Sequence, residues 1–118
     1  MKKYGLLFLF VLTFSTPVSA RQLICKLEQD YLEKAYGYSY ASLDTESGDV
    51  RLGNGKEWTK SIKADKKKIG VGEKFSWKQT LHNKLRNQNY YVRPSIRIKK
   101  NGKVEMFVES WIIPLRCK

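Results

Sequence analysis

The sequence predicts an all-β fold with room for one short helix: a small antiparallel β-sandwich or partly open barrel, with a long C-terminal hairpin and one closing disulfide. Three observations lead there. Apolar and polar residues alternate with period two in Phe75–Leu81 and again on both sides of Asn101-Gly102, as in strands with one buried face. Turn chemistry of one kind occurs twice, at Gly53-Asn54-Gly55 and at Lys100-Asn101-Gly102. Two cysteines, Cys25 and Cys117, bracket almost everything that follows the N-terminal apolar stretch.

Residues 1–20 have the three parts of a secretory signal. Lys2 and Lys3 give a basic start, Gly5 to Phe14 an apolar run of ten residues, and Val18-Ser19-Ala20 a small-residue cleavage site. The run is well short of the roughly 20 residues a membrane-spanning helix needs, and no later stretch approaches that length. Cleavage and export, to the periplasm or out of the cell, are therefore expected, with no transmembrane segment in the mature chain. The residue after the cleavage site is Arg21 rather than cysteine, so no lipid anchor is expected. Residues 21–118 then form a single basic domain of 98 residues. A chain of that size buries only about 65% of its unfolded surface and gains from a staple. In an oxidising compartment Cys25 and Cys117 supply it. His82 is the lone histidine, so neither a zinc site nor a Cys-His nucleophile has its usual partners.

Without Lys2 and Lys3 the chain keeps 21 basic and 11 acidic residues, a net charge of +10. Its two parts differ in sign. Arg21 to Glu57 holds five basic and seven acidic residues, whereas Trp58 to Lys118 holds sixteen and four. An anionic partner therefore meets the second part, although lysines also keep a small domain soluble and protect strand edges.

Leu23, Cys25 and Leu27 alternate as in a first strand, and a short helix or loop follows. Tyr36, Tyr38 and Tyr40 alternate with small residues, which suits a second strand with its aromatics on one side. Thr45 to Asp49 is a turn. Val50 to Ala64 reads as a hairpin in which the loop Gly53-Asn54-Gly55 sets Arg51 opposite Glu57 and Val50 opposite Trp58. Asp65 to Glu73 reads as a charged loop, in which Gly70-Val71-Gly72 and Lys74 lack the spacing of a phosphate loop. Glu73 to Leu81 is expected to be one half-buried strand, and His82 to Gln88 a polar connection.

The hairpin Asn89 to Cys117 organises the rest, and its register can be worked out. A two-residue turn on Asn101 and Gly102 would set Ile98 opposite Glu105 and mix the faces. A three-residue loop with Gly102 in the left-handed position, a G1 bulge, sets Ile98 opposite Val104, Ile96 opposite Met106 and Pro94 opposite Val108. The other face then pairs Arg97 with Glu105 and Arg93 with Glu109. A slip of one residue would exchange every side chain between faces.

Carried through the whole hairpin, this register puts Tyr91 opposite Trp111, with Phe107 and Ile113 on the same face and Arg93, Arg97 and Lys99 beside them. Aromatic planes next to cations stack sugars or bases while neutralising phosphate or carboxylate. A sheet also buries such planes when a second layer covers them, and the tyrosine-rich segment Tyr31 to Tyr40 can be that cover. The favoured reading is a two-layer sandwich with aromatics in the seam. The exposed basic set is then Lys60, Lys63, Lys66, Lys67, Lys68, Lys74, Lys78, Lys84 and Arg86, and Tyr91, Arg93, Arg97 and Trp111 complete the candidate binding residues. No cofactor or metal pattern is present, since the chain lacks a clustered Asp or Glu ligand set. His82 with Glu73, Glu105 or Glu109 is the one conceivable acid-base pair, but arginines opposite Glu105 and Glu109 would hold those carboxyls ionised.

Three functions from different classes fit. The first, which the composition favours, is a non-enzymatic exported binding protein, monomeric or weakly associating. Its basic part engages an anionic surface or polymer, whether envelope lipid, glycan or nucleic acid, so that peripheral membrane contact is allowed. The second is a periplasmic inhibitor or immunity protein that blocks a partner protein. The third is a small secreted hydrolase or toxin using His82.

Overall fold

The computed structural model describes residues 22–118, so the signal read in residues 1–20 lies outside the described residues. The elements are β1 (Gln22–Leu27), α1 (Tyr31–Tyr36), β2 (Tyr40–Asp44), β3 (Asp49–Gly53), β4 (Ile62–Lys63) and β5 (Asp65–Ile69). They continue as β6 (Gly72–Ser76), β7 (Gln79–Asn83), β8 (Gln88–Val92), β9 (Ser95–Lys99), β10 (Val104–Val108) and β11 (Trp111–Cys117).

Nine strands form one antiparallel sheet in the order β4-β3-β2-β1-β11-β10-β9-β6-β5, and β7 pairs with β8 in a second, small sheet. The strands at the two ends of that order, β4 and β5, are separated in the chain by Ala64 alone. The large sheet therefore curls until its edges meet, a nearly closed barrel. Of the two architectures expected, the barrel is found in place of the sandwich, and β4 and β5, which no ladder joins, are its two edge strands.

The barrel's inner face is the core. Phe75, Ile96, Met106 and Ile113 lie side by side across β6, β9, β10 and β11, and none is more than 1% exposed. Leu27, Ala41, Leu43, Val50 and Leu52 continue the apolar lining through β1, β2 and β3. Each of these large side chains contributes roughly 1.5–3 kcal/mol by its burial. Cys25 and Cys117 face each other across β1 and β11 and are bonded, so the disulfide joins the first strand to the last.

One end of the barrel is covered by α1 and the β7–β8 hairpin. The six-residue helix is far too short to be stable alone and is held by Leu32, Ala35 and Tyr36, which join the core. It stops at Gly37, whose φ of +84° lets its N–H reach back to the carbonyl of Glu33. The Lys84 N–H donates to the Ala35 carbonyl at 2.6 Å, and Leu81 and Val92 pack into the same core.

The register of the β9–β10 hairpin is the one the turn chemistry demands. Val104 is opposite Ile98, Glu105 opposite Arg97 and Met106 opposite Ile96, and Gly102 has φ +92°. Several other expectations are corrected. The return strand does not run unbroken to Cys117. It turns at Glu109-Ser110, Val108 pairs with Trp111, and β9 begins only at Ser95, so neither Arg93 with Glu109 nor Pro94 with Val108 is a ladder pair. Glu109 takes φ +55° at the position where such a two-residue turn favours glycine, which is why the sequence carries no turn signal there.

Glu73 to Leu81 breaks at Trp77-Lys78, and its two halves enter different sheets. The Trp77 N–H donates to the Pro94 carbonyl instead. Asp65 to Glu73 is a hairpin, β5 with the start of β6, and not a loop; its lysines occupy both faces and hide the alternation. His82 and Asn83 belong to β7, and the turn is confined to residues 84–87. In the β3–β4 hairpin, the Asn54 side-chain oxygen accepts from the N–H groups of Lys56 and Glu57 and lengthens the loop. Gly53 therefore meets Trp58, and Val50 meets Ile62. Tyr36 lies in α1 and not in a second strand, which starts at Tyr40.

Candidate functional site

The outer face of β5, β6 and β9 brings together three cations, two from the β5–β6 hairpin and one from β9, 23 residues further along the chain. Lys67 is opposite Lys74, and Lys74 is opposite Arg97. Like charges placed directly across a sheet repel. Among the described residues none of the three has an ion pair. With strands about 4.8 Å apart, the row spans roughly 10 Å. It continues to Glu105 and Pro114, where Glu105 is already held by Lys99 at 3.1 Å.

Arg97 links this row to an apolar one. Its guanidinium lies over the Phe107 ring, 4.2 Å from the centroid, a cation–π contact, while its Nε is buried without a hydrogen-bond partner. Phe107 is opposite Ile112 on β11, Ile112 is 58% exposed, and Pro114 is exposed beside it. The outer face is thus basic over β5, β6 and β9, with Asp65 as an acid on β5, and is apolar at Phe107, Ile112 and Pro114 on β10 and β11, between Glu105 on β10 and Arg116, which pairs with Glu28, at the far end of β11.

The other candidate residues are dispersed. Lys63 and Lys66 serve the join between β4 and β5. The Lys63 ammonium donates to the Ser47 carbonyl at 2.9 Å and pairs with Asp49; that of Lys66 reaches the Thr45 carbonyl and Glu73, both at 3.4 Å. Lys68 is opposite Glu73 on the inward-facing side of β5, near the barrel's open seam. Lys60 lies exposed before β4, and Lys78 at the break between β6 and β7. Lys84 and Arg86 occupy the β7–β8 turn, where Arg86 donates to the Tyr90 hydroxyl at 3.5 Å. Tyr91 is opposite Thr80 and not Trp111, because it belongs to the small sheet; it is 65% exposed, with Arg93 exposed just beyond it. Trp111 instead stacks on Tyr31, centroids 4.5 Å apart, yet stays 39% exposed, so the tyrosine-rich segment covers that aromatic only in part. Ile113 is fully buried, on the face opposite Phe107.

His82 is exposed on β7 and shares a 2.8 Å hydrogen bond with the Asn89 side chain through Nδ1. Among the described residues no ion pair joins it to a carboxylate. Tyr36 is a perturbed polar group near this end. Burial pushes its phenol above the ordinary value, opposed by the neighbouring Asn83 side chain, and its hydroxyl lacks a well-formed hydrogen bond.

The row of cations has no signal in the sequence because β5 lacks an apolar alternation, and the apolar strip has none because the Glu109-Ser110 turn carries no Gly, Pro or Asn. The site therefore belongs to a small disulfide-tied β-barrel with an amphipathic outer face. No known protein family, characterised protein or solved structure matches this chain.

Proposed function

We propose that this protein is exported and acts by binding, engaging an anionic partner through its basic C-terminal part without catalysing a reaction. The observation that carries the reading is the row Lys67, Lys74 and Arg97, three like charges set opposite one another on neighbouring strands. Holding them together costs stability in the free protein, and a bound anion offsets that cost. Export is supported by the Cys25–Cys117 bond, since such bonds persist outside reducing compartments, and by the signal pattern of residues 1–20. Among the described residues no helix is long and apolar enough to cross a membrane.

Binding of the oxidised protein to heparin, to a DNA oligonucleotide and to phosphatidylglycerol vesicles, each at low and high salt, tests this. Affinity for at least one of them is expected to fall steeply with salt and to weaken in Lys74→Glu. Indifference of all three ligands to salt and to that substitution would overturn it. A single protein retained from envelope extract through a high-salt wash would favour the inhibitor reading in its place.

A further inference from the structure

Resting on that reading, we infer that the anionic partner is a lipid surface and that the outer face of β5, β6, β9, β10 and β11 is what lies on it. Two neighbouring cross-strand rows run in the same direction. One passes from Lys67 through Lys74 and Arg97 to Glu105 and Pro114; the other from Asp65 through Ser76 and Ser95 to Phe107 and Ile112. The first changes from basic at β5 to apolar at β11, and the second from an acid and two serines to Phe107 and Ile112. A headgroup layer has this same polarity, with anionic phosphate above and acyl chain below. Ile112 and Pro114 would enter the acyl boundary while Lys67, Lys74 and Arg97 stay among the phosphates. Arg97 reaches both zones, its charge level with the cations and its guanidinium plane on Phe107.

The acids on the face leave a net positive charge. Glu105 is neutralised by Lys99, and Asp65, which lies on β5 in the phosphate zone, offsets one of the three cations Lys67, Lys74 and Arg97. Polyanions such as nucleic acid and sulfated glycan fit less well, because they can use the cations but offer nothing to the exposed aliphatic groups, and a single strand also asks for open aromatic planes on which its bases stack. The aromatic on this face, Phe107, is half-buried with a guanidinium over its ring, and the exposed apolar groups, Ile112 and Pro114, are aliphatic.

The test is sedimentation of the oxidised protein with vesicles of phosphatidylcholine alone and of phosphatidylcholine containing about one-third phosphatidylglycerol. Binding is expected only to the second. Lys67→Gln and Lys74→Gln should each weaken it about fivefold without loss of stability, since each removes a like-charge contact. Ile112→Ser should weaken vesicle binding by about tenfold and leave heparin binding unchanged, with Pro114→Ser as a second variant should Ile112→Ser fold poorly. Vesicle binding that is equal with and without phosphatidylglycerol, or insensitive to these variants, would be carried elsewhere in the chain and would overturn the inference. If heparin or DNA binds with the expected salt dependence while vesicles do not, the lipid inference fails and the anionic-partner reading stands. If nothing anionic binds, both fail.

Discussion

Reducing the Cys25–Cys117 bond should cost this protein a large share of its stability, and the size of the loss can be worked out. The bond spans a sequence separation of 92 residues, so it constrains nearly the whole unfolded chain. The loop-entropy relation gives about 4.6 kcal/mol at 25 °C. The native state itself changes little, because β1 stays hydrogen-bonded to β2 on one side and β11 on the other. Against a total of about 5–15 kcal/mol for a small domain, the loss is between a third and nearly all. Urea unfolding followed by tryptophan fluorescence, with and without a phosphine reductant, reads it directly. The midpoint should fall by about 2–4 M and Tm by about 20–35 °C. Superimposed oxidised and reduced curves, with two thiols titrating per reduced chain, would refute the reasoning, because the bond would then contribute nothing through the unfolded state.

Glu109→Gly should raise stability by about 1 kcal/mol, since glycine adopts the φ of +55° without strain; a lower urea midpoint would count against the assigned turn. Ile113→Ala, in the fully buried row beside Met106, should cost about 2–5 kcal/mol in the same assay. Asp44 accepts from the N–H groups of Ser47 and Glu46, which hold its carboxyl below the ordinary 3.8. A depressed folded pKa means that this stabilisation is complete above about pH 4 and is lost as pH falls through the lower folded value. Asp44→Asn keeps the acceptor but removes the charge, so its acid-unfolding curve below pH 4 should be flatter than that of the parent, whereas identical curves would exclude the carboxylate as a source of the pH dependence.

Where turn chemistry and alternation agreed, the fold was legible. Lys100-Asn101-Gly102 with its flanking residues determined the β9–β10 register, and two cysteines in an exported pattern determined the disulfide. What stayed hidden were features without a local signal. Glu109 turns the chain in a conformation its residue type does not advertise, β5 is a strand of lysines with no apolar face, and a period-two run across Trp77-Lys78 is shared by two sheets. The site suffered most, because it exists only after β5, β6 and β9 are aligned. Lys67, Lys74 and Arg97 are each candidates from charge alone, but their juxtaposition depends on a strand that alternation does not reveal.

The join between β4 and β5 makes lysine chemistry ambiguous in this protein. The two edge strands of the cylinder adjoin there, and the ammonium groups of Lys63 on β4 and Lys66 on β5 latch both to carbonyls of the turn between β2 and β3. An acylating reagent would spring that latch at the same time as it discharged the outer surface. Lost binding after acylation would thus report an opened cylinder as readily as a neutralised one, and single-site replacement away from the latch is the cleaner probe.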